Sequence, residues 1–159
     1  IPHWVKDPDQ AKKMADHTLN AKCETMFEKP SFRDAARNKR CLVYIDAFYE
    51  FHHAYSKTYP FHIADKNGDP LCFAGLWDEW VNHESGEIIR TVSLVTTKAN
   101  QVMARIHNNP KLEEPRMPVI LKKKDHTVRK LKGKDGTGDT SLAEEEFHYD
   151  ELNLLALIH

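Results

Sequence analysis

The chain has 159 residues, with 23 Lys and Arg against 24 Asp and Glu, a formal charge of −1 with His neutral, and 40% hydrophobic residues. These values describe one ordinary globular domain and exclude a disordered, collagen-like or histone-like chain. No apolar run reaches the eighteen or so residues of a membrane span.

Charged residues (Lys6, Asp7, Asp9, Lys12, Lys13, Asp16) interrupt the first twenty positions, so no secretory leader is expected there and an intracellular, cytoplasmic location is. Cys23, Cys41 and Cys72 form no C-x-x-C pair, so neither a disulfide framework nor a zinc ribbon is expected. Ile1-Pro2 is not a translation start, and the chain is expected to be a fragment.

In chain order, Asp7-Pro8-Asp9 followed by Ala11, Met14 and Ala15 predicts a capped amphipathic helix. A short segment, 19–25, follows. Ser31 with Asp34 forms a capping-box pattern, predicting a second short helix from Phe32 to Asn38. Residues 41–45 and 48–51 are β-branched and aromatic, predicting strands that bend near Asp46-Ala47. From Tyr59 the pattern is that of a β-meander: Phe61-His62-Ile63, a turn at Asn67-Gly68, a strand 71–80, a turn near Ser85-Gly86 and a strand 88–95.

Ala99, Val102, Met103 and Ile106 mark one face of a helix that Thr96 or Thr97 can cap, with His107 at its end. Residues 117–121 read as a buried strand in which Pro118 implies an edge or a bulge. A basic run (122–134) precedes an acidic one (135–151). Gly133, Gly136 and Gly138 predict a mobile loop, and Ser141 with Glu144 a last helix that docks through Leu152, Leu155 and Ile158. The basic run reads either as a solvated surface segment or as a local patch able to bind nucleic acid.

Three polar residues stand in apolar sequence: Asn20, Glu50 and His107. If the strand holding Glu50 is buried, desolvation raises its pKa and suits it to move protons near neutral pH; an open edge-strand position is the alternative. His107 reads as a general acid, a metal ligand or a plain helix cap. Asn20 reads as a turn residue or a catalytic amide. His52 and His53 are adjacent and point to opposite faces of a strand, and no metal-binding histidine spacing occurs, so no metal is expected. No P-loop, G-x-G-x-x-G or G-x-S-x-G is present. The three cysteines read as inert thiols.

Taken together, Ile1-Pro2-His3-Trp4, residues 20–25, 28–33, 40–43, Phe48-Tyr49-Glu50, 73–77, Thr96-Thr97 and His107 with 116–121 resemble, in order, the SRAP family (SOS-response-associated peptidase domain). The match covers a motif-bearing core, 1–121, of a single domain over 1–159, leaving 122–159 divergent. The resemblance implies an α+β fold, a curved and mostly antiparallel sheet approaching a barrel with flanking short helices.

It also implies a monomeric enzyme that binds single-stranded DNA, needs no cofactor, captures abasic sites covalently and removes its own initiator methionine. In a bacterium it would be nucleoid-associated. The family's nucleophile is an N-terminal cysteine expected upstream of Ile1, so residues 1–159 by themselves are expected to be inactive. Asn20, Glu50 and His107 match the family's supporting catalytic residues. Lys22, Arg33, Thr96 and Arg116 match its phosphate contacts, and Trp4 with Pro2 the motif that stacks on bases. Three features depart from the family: the longer stretch between His107 and Arg116, Phe51 after the glutamate, and the ending from Lys122. The alternatives are a non-covalent single-strand or junction binder and a peptidase acting on other proteins.

Overall fold

The computed structural model describes residues 1–122 and, as backbone, 154–158. Their element order is α1 (Pro8–His17), β1 (Asn20–Lys22), α2 (Arg33–Asn38), β2 (Arg40–Ile45), β3 (Ala47–Ala54), β4 (Lys57–Asp65), β5 (Leu71–Val81), β6 (Ile88–Lys98), α3 (Gln101–Ile106), β7 (Arg116–Pro118) and β8 (Leu154–Ile158).

Five strands form one sheet, in the order β1-β6-β5-β2 with β7 also on β6, and three form a second, β3-β4-β8. All described pairings are antiparallel except β1 with β6. The class is therefore α+β and mostly antiparallel, as expected, and among the described residues the two sheets do not close into a barrel.

β5 and β6 pair from Val81/Ile88 to Gly75/Leu94 and then part. The chain after Arg116 enters that gap. It pairs with β6 through Thr97↔Met117, and with β5 through Phe73↔Ile120 and the Leu121 N–H to Cys72 carbonyl bond of 2.8 Å. Pro118, lacking an N–H, stands where this segment passes from one partner strand to the other. Gly75 marks the close approach of β2 to β5, because a Cβ there would lie 2.9 Å from the Cys41 sulfur.

α1 forms as read: Asp7 accepts the Asp9 N–H at 3.0 Å and Pro8 opens the first turn. Elsewhere the local signals give way. Ser31 does not cap α2, because consecutive turns lead into the helix and the Lys29 carbonyl already accepts from Phe32 and Arg33. β6 runs on to Lys98, so Thr96 and Thr97 lie in a strand, and Asn100 caps α3 by accepting the Met103 N–H at 2.9 Å.

The turn at Asn67-Gly68 forms, with Gly68 at φ 76°, but it carries the chain from one sheet to the other rather than closing a hairpin. The expected meander is thus two hairpins, β3–β4 and β5–β6. Leu155 and Ile158 are in strand β8, not a helix. A short apolar run has no period of its own, and the free edge of β4 supplies hydrogen bonds to it. The predicted loop and the start of the last helix lie outside the described residues.

Between the sheets Ile63, Leu71, Phe73, Met103, Ile106, Met117 and Ile120 form a core that seats α3, with Phe48 and Phe61 packed against it. A second core on the far side of the five-stranded sheet joins Ala21, Ala36, Leu76, Val95 and Val119. Met103 is fully buried under the site described below, so Met103→Ala is expected to cost about 2–5 kcal/mol. Urea unfolding checks it, and a loss well under 1 kcal/mol would show that the core collapses freely around α3.

Candidate functional site

Among the described residues β3 is an edge strand of its sheet, and its residues alternate between two faces. Phe48, Glu50 and His52 pair with Ile63, Phe61 and Tyr59 on the side of α3, while Tyr49, Phe51 and His53 pair with His62, Pro60 and Thr58 on the other. This alternation turns Glu50 inward amid Phe48 and Phe61. α3 ends against the same strand, where the His52 Nδ1–H donates to the Arg105 carbonyl at 2.8 Å, and His107 follows as the C-cap.

The result is a pair: His107 Nδ1 lies 3.2 Å from Glu50 Oε2, with both side chains about three-quarters buried. The same nitrogen is 2.9 Å from the Arg116 carbonyl oxygen. A carbonyl only accepts, so Nδ1 carries the proton and Nε2 is the ring nitrogen left for other chemistry. The longer stretch from His107 to Arg116 therefore bulges and returns without separating them.

Burial pushes the Glu50 carboxyl above the usual range, against the opposing pull of His107 and the Phe51 N–H. Glu50, Phe51, His53, Thr58, His107 and Asn109 line a pocket of about 340 Å³. The arrangement sets two groups able to exchange protons at the wall of a cavity wide enough for small organic groups.

Asn20 is not among the residues lining that pocket. It is exposed on β1 beside Leu94, and Lys22 is likewise exposed beside Thr96. Ala21 between them points into the opposite core. Lys22, Thr96 and Arg116 thus gather where β1, β6 and β7 meet.

The Arg116 guanidinium is engaged there: it donates to Glu24 at 2.7 Å, to the Thr96 carbonyl at 2.9 Å and to the Thr96 hydroxyl at 3.3 Å. Burial raises the Glu24 carboxyl, but the Arg116 bonds outweigh it and hold the group below the usual range. Arg33 is exposed with Asp34 at 3.8 Å, Trp4 is exposed with its indole N–H on the Pro30 carbonyl at 3.2 Å, and Pro2 is buried. The candidate contacts therefore fall in two groups, one around Lys22 and one around Trp4 and Arg33.

Trp80 is buried, while Trp77 lies under the Lys39 ammonium, 5.4 Å from its ring centroid. Burial raises all three thiols, which keeps Cys23, Cys41 and Cys72 in the unreactive protonated form. Among the described residues no group of three or more His, Cys, Asp or Glu is placed to hold a metal ion, and no helix is long and apolar enough to cross a membrane. The sequence brought up His53 only as a metal ligand, and it did not single out Thr58, Asn108 or Asn109, of which only the longer stretch after His107 marked the last two.

The fold and site define a protein that sets a histidine–glutamate pair at a sheet edge beside a cavity. The chain belongs to the SRAP family, "SOS response associated peptidase", whose profile matches residues 1–154. It is 41% identical over 122 residues to the abasic site processing protein YoqW of Bacillus subtilis, covering 76% of this chain and 49% of that protein. To the B. subtilis abasic site processing protein YoaM it is 39% identical over 140 residues, covering 87% of this chain and 56% of that one.

The Xenopus tropicalis abasic site processing protein HMCES is 32% identical over 148 residues, with 82% of this chain and 42% of that protein covered. The chain thus spans about half the length of these relatives. A crystal structure of a Bacteroides thetaiotaomicron protein superposes with a TM-score of 0.82 at 29% identity, covering 99% of this chain and 65% of that one.

Proposed function

We propose that the full-length gene product binds single-stranded DNA and captures abasic sites covalently through an N-terminal cysteine. The observation that carries this reading is the His107–Glu50 pair at the pocket wall, 3.2 Å apart and mostly buried. A terminal α-amine has a pKa near 8, so part of it is neutral at pH 7 and can add to the aldehyde of the ring-opened sugar. Water leaves to give an imine. The thiol sulfur then bonds to the imine carbon, its proton passes to nitrogen, and a thiazolidine results.

His107 Nε2 takes the proton of the anomeric hydroxyl as the sugar ring opens and passes it to the departing ring oxygen; Glu50, whose carboxyl burial pushes above the usual range, exchanges protons with amine and thiol. The same carboxyl serves the autocatalytic removal of the initiator methionine. Asn20 orients the terminal cysteine or the sugar. Lys22, Thr96, Arg116 and Arg33 contact phosphates, with the Arg116 guanidinium oriented by its bonds to Glu24 and Thr96. Trp4 offers an exposed face for base stacking, and Pro2, buried two residues before it, anchors the same segment. The protein acts as a monomer, in the cytoplasm and at the nucleoid if the source is bacterial.

The test is a denaturing gel of the full-length product after incubation with single-stranded DNA carrying one abasic site. A heat-stable shifted band, absent with intact DNA and absent when the terminal cysteine is replaced, is the expected result. Binding without any such band would point to the non-covalent binding module, and turnover of unrelated peptides to the peptidase.

A further inference from the structure

We propose that Asn108 is a positioning residue that fixes His107 against Glu50 by clamping the end of α3 onto the edge of β3. Asn108 acts as a one-residue strand partner: its side-chain Oδ1 accepts the His53 backbone N–H at 2.7 Å, and its Nδ2 donates to the His53 carbonyl at 3.0 Å. The outward-facing N–H and C=O of an edge-strand residue have the spacing that a planar carboxamide satisfies with both its ends.

On the other side of His107, the Arg105 carbonyl is held by His52 at 2.8 Å. The residues that bracket His107 are thus tied to two consecutive residues of the strand that also bears Glu50. That arrangement restricts the His107 ring to the position in which Nδ1 reaches both Glu50 and the Arg116 carbonyl. α3 has only six residues, and the bonds that close its end, from the His107 N–H to the Met103 carbonyl at 2.7 Å and from the Asn108 N–H to the Ile106 carbonyl at 3.0 Å, hold the backbone and leave the ring to be set by the strand.

The inference rests on the proposed function only for its effect on rate; the clamp itself is read independently. In the full-length product, Asn108→Ala is expected to weaken or abolish the slowly exchanging His107 Nδ1–H proton resonance. With saturating abasic-site DNA, adduct formation in a single turnover should slow about ten- to a hundredfold, because the ring is misplaced, while DNA affinity stays at its wild-type value. Asn108→Gln keeps both ends of the amide one methylene farther out. It should fall between the two, and it stands in if the alanine variant does not fold.

A wild-type resonance together with a wild-type rate in Asn108→Ala would overturn the inference. So would a slower rate explained wholly by a smaller folded fraction, with the resonance intact in the folded part. If the wild-type protein forms no adduct but its His107 resonance is lost on removing Asn108, the proposed function fails and the clamp stands.

Discussion

Replacing Glu50 with glutamine is expected to slow adduct formation about a hundredfold or more and, at neutral pH, to raise the melting temperature. The first effect follows from removing a proton-transfer group while keeping its shape. The second follows from burial. Glu50 is inward on β3, and desolvation lifts its carboxyl above the usual range despite the neighbouring His107. A carboxyl with a raised folded-state pKa contributes stability that is complete below the ordinary glutamate value and is lost as pH rises through the folded one.

Above that window the ionised carboxylate costs the wild-type protein stability, and the neutral amide removes the cost. The melting-temperature gap between variant and wild type should therefore open as pH rises and close in acid. Thermal melts across pH, paired with single-turnover adduct assays, measure both. A variant that is less stable than wild type at neutral pH would show that the His107 contact, not desolvation, dominates at Glu50.

Asp78 should behave in the opposite sense. Its carboxylate accepts from the Lys39 ammonium, from both the backbone N–H and the Nδ1 of His3, and from the Glu79 N–H. Burial raises this group, but these bonds outweigh it and hold the carboxyl below the usual range. A depressed pKa contributes stability that is present above the ordinary aspartate value and lost as pH falls through the folded one.

Asp78→Ala leaves the Lys39 ammonium and two backbone N–H groups without their partner and is expected to cost about 2–3 kcal/mol near neutral pH, discounted because Lys39 and His3 reach solvent. The loss should shrink in acid. Since His3 ties the segment bearing Trp4 to β5, the variant should also weaken DNA affinity while leaving the single-turnover rate at saturation near wild type. Equal affinity in both proteins would remove Trp4 and its neighbours from the DNA path.

What could be read from the sequence was mostly local. Asp7-Pro8-Asp9 capped α1 as read, because cap and helix lie within one turn. Glu50 and His107 drew notice through the mismatch between a charged or titratable side chain and its apolar neighbours, and the fold brings the two together. The assignment of strands to sheets was not legible. The Asn67-Gly68 turn has hairpin chemistry, yet β4 pairs with β3 and β8, and nothing near the turn encodes that choice. Residues 154–158 took a strand because a distant edge was open to them.

Asn108 passed unnoticed for the same reason. Its amide meets the backbone of His53, fifty-five positions away, and backbone partners leave no trace in side-chain patterns. Arg116 enters as a phosphate contact through the family resemblance alone. Only the folded chain places Glu24 and Thr96 around its guanidinium and its carbonyl on His107.

The central claim is a covalent bond between the protein's terminal cysteine and an abasic sugar. The most direct measurement is peptide mass analysis of the purified complex after nuclease and protease digestion. The account predicts the sugar remnant on the N-terminal peptide, with a mass equal to the two components less one water, and far less of it in proteins lacking Glu50 or His107. A remnant attached to an internal lysine, or an unmodified N-terminal peptide from protein that binds the DNA, would contradict it.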